Sequence, residues 1–111
     1  MKNTVSLKQN MFFKRLYYRG KRQHSHILVL HSMPNGLMYN RFGITVGKKI
    51  GNAVKRNRVR RHIYEAFRLY EPTIKTGYDI VIVARVFALD AEFEQHQKVI
   101  GIMLKKAGLF I

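Results

Sequence analysis

Lys48-Lys49-Ile50-Gly51-Asn52-Ala53-Val54-Lys55-Arg56-Asn57-Arg58-Val59-Arg60-Arg61 holds seven of the chain's 21 basic side chains in 14 of its 111 residues. Gly51-Asn52 reads as a turn. Asn52 reads as the N-cap of a helix beginning at Ala53, because its side-chain oxygen can accept from a free N–H of the first turn. At about 100° per residue, a helix over residues 53–70 gathers Val59, Ile63, Ala66, Phe67 and Tyr70 into one stripe. Asn57, Arg60, Arg61, Tyr64 and Arg68 fall on a neighbouring face, with Arg58 and Glu65 further round. One helix therefore offers an apolar stripe to a core and a cationic face to something else. Lys48, Lys49 and the N–H groups at the helix start add charge and donors suited to phosphate.

A solvated helix face normally mixes signs, with Glu set four residues before Lys or Arg. Here the first acid of the whole chain is Glu65. Such one-signed clustering marks a polyanion-binding face. The net charge of +15 carries the same message. It calls for nucleic acid or an anionic membrane surface as partner. The length is that of one domain, residues 1–111, and 47% apolar content supports a modest core. The chain has no cysteine, which excludes disulfides and thiolate chemistry. No apolar run reaches the roughly 18 residues of a membrane span. The start, Met1 to Ser6, lacks the pattern of a signal peptide, so the expected location is the cytoplasm.

Lys48 to Val54 followed by Lys55-Arg56-Asn57-Arg58-Val59-Arg60-Arg61 resembles the signature of the bacterial ribonuclease P protein subunit, with Arg56-Asn57-Arg58 as its core. The likeness continues through Glu65-Ala66-Phe67-Arg68, and the chain's size and order of elements agree with it.

Outward from this helix the chain alternates helix and strand patterns. Residues 1–8 read as an irregular basic arm. A helix starts near Asn10, with Phe13, Leu16 and Tyr17 at core spacing, and stops at Gly20. Phe12 and Tyr18 lie off that stripe among Lys14, Arg15 and Arg19, a mixture able to stack and clamp a single strand. The plainer account makes Phe13, Leu16 and Tyr17 core anchors. Lys21 to Ser25 reads as a polar connection, His26 to His31 as a strand, and Met33 to Gly36 as a turn. Arg41 to Gly47 alternates as a second strand, Phe42, Ile44 and Val46 on one face and Gly43, Thr45 and Gly47 on the other. Glycines on a sheet face permit close approach by a ligand or a packed helix. Tyr78 to Arg85 reads as a central strand. Asp90 reads as the cap of a last helix from about Ala91 to Lys106, with Val99, Met103 and either Ile102 or Leu104 inward.

The order of helix, two or three strands, helix, strand and helix, roughly α-β-β-β-α-β-α, makes an α+β two-layer sandwich of a small central sheet with helices. The resemblance implies in addition a ribosomal-protein-like fold whose parallel strands are joined by a left-handed crossover through the basic helix, against the usual right-handed rule.

The six acids form no paired-carboxylate or metal-ligand pattern. Asp90, Glu92 and Glu94 suit the start of the last helix through its dipole. His24 and His26 could serve as metal ligands or a nuclease pair, but surface or strand positions account for them more simply. No glycine pattern matches a phosphate-binding loop. The chain supplies no catalytic residue and no metal site.

The resemblance implies a subunit whose RNA partner does the chemistry. That partner, with Mg²⁺, removes the 5′ leader from precursor tRNA, and the protein pairs with it 1:1. The residues that it implies for the catalytic RNA are Lys48, Lys49, Asn52, Lys55, Arg56, Asn57, Arg58, Arg60 and Arg61. Those for a leader cleft are Phe13, Tyr17 and Arg85, near the strand from Leu28 to His31. Tyr64 stands where the family commonly has arginine, and Val86 where many relatives have a basic residue. The alternative reading is a structural RNA-binding protein such as a small ribosomal component, which needs the charge but no aromatic cleft.

Overall fold

The apolar runs become the middle of a five-stranded mixed sheet in the computed structural model, which describes residues 1–111. In chain order the elements are β1 (Thr4–Ser6), α1 (Asn10–Arg19), β2 (Lys21–His24), β3 (Leu28–Pro34), β4 (Asn40–Thr45), α2 (Ala53–Tyr70), β5 (Tyr78–Ala84) and α3 (Phe93–Lys106). Across the sheet the strands run β1-β4-β5-β3-β2. β3 lies antiparallel to β5, with Leu30 opposite Ile82. β4 lies parallel to β5, with Ile44 opposite Ile82, and α2 is the crossover that connects them.

Period-two alternation sorts the side chains to two faces. Leu28, Leu30, Phe42, Ile80 and Ile82 meet Val59, Ile63, Ala66 and Phe67 of α2 and Ile100, Met103 and Leu104 of α3 in the main core. Phe42 and Phe67 stack at 3.8 Å with an interplanar angle of 4°. Such a pair adds roughly 0.5–1.5 kcal/mol to its burial. On the other face Val81 packs with Leu16 of α1 and Leu7, supported by Phe12, Phe13, Met33 and Val83. The two-layer sandwich thus carries a short third layer, α1 alone.

α2 has the expected bounds, and the Asn52 side chain accepts from the Lys55 N–H at 3.0 Å. Other stretches differ from the sequence reading. Residues 1–8 contain β1, parallel to β4 and tied down by Glu71. The buried Glu71 carboxylate accepts from the Asn3 N–H at 2.9 Å and the Thr4 hydroxyl at 2.6 Å. Lys21 to His24, read as a connection, pairs with β3 as a polar edge strand. The last helix begins at Phe93 with Glu92 as cap, because Val86–Asp90 forms a 3-10 turn that takes up Asp90. In α3 it is Ile100, Met103 and Leu104 that are buried; Val99 packs at the core margin and Ile102 is exposed.

Candidate RNA interface

β1 covers β4 only as far as Phe42, where the Leu7 N–H donates to the Phe42 carbonyl at 2.9 Å. From Gly43 onward β4 is an open edge. Helix α1 flanks it on one side of the sheet and α2 on the other. Two adjoining hollows lie along it, of about 440 and 430 Å³, and both are lined by Phe13, Ile44 and Arg60. Tyr64 joins the first; Tyr17, Thr45 and Val46 join the second.

The sequence sets one glycine at the decisive place. A Cβ on Gly43 would stand 2.7 Å from Cζ of Phe13, so the bare backbone admits the ring. The glycine therefore receives a packed helix. Leu16 is fully buried and is the true anchor of α1, whereas Phe13 is half-buried and Tyr17 is 40% exposed. The Tyr17 hydroxyl lies 3.2 Å from the Thr45 hydroxyl, and its ring meets His31 edge-on at 4.9 Å. His31 is buried beneath it, with Nδ1 lacking any hydrogen-bond partner in the protein. Phe12, off the stripe, lies under the Arg41 guanidinium at 3.9 Å, and Arg41 is paired with Asp79 at 2.7 Å.

On α2, Lys55, Asn57, Arg58, Arg60 and Arg61 are exposed, as are Lys48, Lys49 and Asn52 before it. The Asn57 side-chain oxygen accepts from Arg60 at 3.1 Å and so orients it. Arg56 differs. It is half-buried, and its Nε is enclosed without a partner, so its stem lies against the core margin. Glu65, the first acid, is spent on Arg68 at 2.8 Å. Arg85 does not share a hollow with Phe13 or Tyr17. It lines another of about 570 Å³ at the C-terminal ends of β4 and β5, with Lys48, Lys49, Val86 and Phe87, and Thr45 joins that hollow to the aromatic one. Arg85 is held there by donating to the Ser25 carbonyl at 2.8 Å.

A ribonuclease P family profile matches residues 1–108. The chain is 44% identical over 106 residues to the ribonuclease P protein component of Caldanaerobacter subterraneus, covering 96% of this chain and 91% of that one. It is 43% identical over 109 residues to that of Clostridioides difficile, covering 97% and 96%. The chain belongs to the ribonuclease P protein family. Its fold matches the Staphylococcus aureus ribonuclease P protein with a TM-score of 0.87 at 34% identity, covering 96% of this chain and 97% of that one. The Thermotoga maritima ribonuclease P protein gives 0.79 at 28% identity, covering 90% and 96%.

The chain is therefore a protein component of ribonuclease P, the endoribonuclease that matures the 5′ end of tRNA, and the catalytic centre lies in the RNA of that holoenzyme. The small ribosomal component is not favoured. No group of three or more His, Cys, Asp or Glu residues is placed to hold a metal ion. Of the two histidines considered for chemistry, His24 sits opposite Val29 on the β2 edge and His26 stacks on Phe87 at 4.3 Å. No helix is long and apolar enough to cross a membrane.

Sequence reasoning missed Ile44, Thr45, Val46 and Phe87. Only the alternation in β4 hinted at the first three. His31 was legible as a strand residue but not as the floor under Tyr17.

The ribonuclease P helix is also coupled to α3 through histidines. His62 lies 5.2 Å from the fully buried His96, whose Nε2 faces the Ala88 carbonyl at 3.3 Å. Burial holds His31, His62 and His96 below the ordinary 6.5; Arg22 adds to this at His31, Arg58 at His62, and His62 itself at His96. In the unfolded chain these imidazoles take up protons near 6.5, before the native ones do. Their neutral-state stability is complete above that value and falls as pH drops from 6.5 toward the lower native pKa values. The urea midpoint should decline as pH falls below about 6.5, and His96→Leu should flatten part of the decline.

Proposed function

We propose that the cationic face of α2 docks on the catalytic RNA while the groove along the open β4 edge holds the single-stranded leader of precursor tRNA. One observation supports this most: Arg60 lines both hollows that contain Phe13. The helix for phosphates and the helix for bases open onto the same groove.

Each part has its own physics. Lys48, Lys49, Asn52, Lys55, Arg56, Asn57, Arg58, Arg60 and Arg61 supply phosphate contacts, whose strength comes from counterion release and falls steeply with salt. Phe13 and Tyr17 present aromatic surface on which unpaired bases stack with little sequence preference. Arg85 serves the same strand further along, through Thr45, beside Lys48 and Lys49. Bond cleavage belongs to the RNA and its Mg²⁺. Three of the six carboxylates in this chain are committed elsewhere, Glu71 to β1, Asp79 to Arg41 and Glu65 to Arg68. Residues 1–111 act as a single RNA-binding domain, one copy to each RNA, in the cytoplasm. The sharing of one sheet by both clusters of the core supports the single domain.

The test compares substrate with product. The assembled holoenzyme should bind precursor tRNA more tightly than mature tRNA, and Phe13→Ala with Tyr17→Ala should erase most of that difference. At low Mg²⁺, cleavage should require RNA and protein together. Cleavage by the protein alone, or a leader preference untouched by the double substitution, overturns the reading.

A further inference from the structure

The outer face of α1 belongs to neither surface described above. Met11, Lys14, Arg15 and Tyr18 recur at i, i+3, i+4 and i+7, and with Arg19 they line an open hollow of about 460 Å³. Tyr18 is 89% exposed. The other aromatic off the core stripe, Phe12, is covered by Arg41 at 3.9 Å and approached by Arg15 at 5.7 Å. No acid stands on α1, and Asp79, below it on β5, is taken by Arg41.

Continuity with the groove gives this face its meaning. Lys14 lines both the outer hollow and the one that contains Phe13 and Tyr17. A strand whose bases lie on Phe13 and Tyr17 can leave over Lys14 and reach Tyr18 next. We infer that Tyr18 is a further stacking platform, taking an unpaired base of the leader after it crosses α1, with Lys14, Arg15 and Arg19 on the flanking phosphates. This rests on the reading that the leader occupies the groove.

The chemistry selects a single strand. Three cations on one helix face draw a polyphosphate, and the free ring offers a π-face that any unpaired base can use. Duplex RNA keeps its bases stacked inside and would engage the cations alone, leaving Tyr18 without effect. The apolar surface here is one ring and Met11, too little to seat a folded protein.

The test uses the assembled holoenzyme and two precursor tRNAs, one with a leader of about ten nucleotides and one trimmed to about two. Tyr18→Ala should weaken binding of the long-leader precursor about tenfold and leave the short one unchanged. Tyr18→Phe should behave as the original protein, because stacking needs the ring and not the hydroxyl. Phe13→Ala is the reference for the groove. Loss on the long leader with Phe13→Ala but not with Tyr18→Ala overturns the platform and leaves the groove. No loss with either overturns both. An equal loss on the two leaders with Tyr18→Ala, or a loss of affinity for the catalytic RNA alone, gives the ring to another partner and overturns the inference.

Discussion

A protein carrying Arg58→Ala, Arg60→Ala and Arg61→Ala should bind the catalytic RNA with a log-affinity versus log-salt slope shallower by about two to three units. Each phosphate contact removed takes away roughly 0.7–0.9 of slope. All three side chains are exposed, so the substitutions leave the Val59–Ile63–Phe67 stripe untouched. Like charges at helical spacing repel, and relieving them favours the helix. The thermal midpoint of the variant should therefore hold or rise while affinity falls, which separates lost contacts from lost fold. Arg56 is left out deliberately. Its Nε is enclosed at the core margin, and Arg56→Ala would mix lost packing with lost charge. An unchanged salt slope in a folded variant places the RNA-binding surface away from α2.

What the sequence reveals follows the range of the interactions that determine it. α2 was legible to its ends because each signal is local: the Asn52 cap, the apolar stripe, the absence of acid before Glu65. β1 was not. Its three residues carry no periodicity, and they are held by a parallel partner far along the chain and by Glu71, 67 residues from Thr4. β2 was hidden for a different reason, since an edge strand with no buried residue can be wholly polar, and Lys-Arg-Gln-His gives no alternation to read. The start of α3 was misplaced because Asp90, a good cap by type, is consumed by a 3-10 turn that local rules did not foresee.

The site shows the same division. The aromatic pair on α1 and the cations on α2 were visible separately. Their convergence was not, because it depends on β4 standing between two helices on opposite faces, with β1 too short to cover it. Arg85 was grouped with Phe13 and Tyr17, yet strand length carries it past them to Lys48 and Lys49. Pattern placed it on the last strand, but β5 closes at Ala84 and Arg85 caps the 3-10 turn beyond it, and only the register of β4 against β5 set its neighbours.

Gly43→Val is expected to disable leader binding without harming attachment to the catalytic RNA. A first side-chain carbon at this position meets the Phe13 ring at 2.7 and 2.9 Å, closer than packed atoms tolerate, and valine adds two methyl groups. The Phe13 ring is the movable partner, because β4 is fixed by β5 on one side. Displacing it removes one stacking surface and disturbs Tyr17 one turn further on, and base–aromatic stacking contributes about 1–3 kcal/mol per base. Affinity for precursor tRNA should drop by roughly ten- to a hundredfold, while affinity for the catalytic RNA holds. A second substitution tests the cause. If the valine acts by ejecting Phe13, then Gly43→Val in a Phe13→Ala background has no ring to eject, and the double variant should bind substrate no worse than Phe13→Ala alone. Neighbours that share one contact are non-additive in this way, whereas independent sites add. Additive losses, or a parallel loss of catalytic-RNA affinity with a lowered thermal midpoint, would mean that valine damages the sheet itself and that Gly43 is there for the strand instead of for the ring.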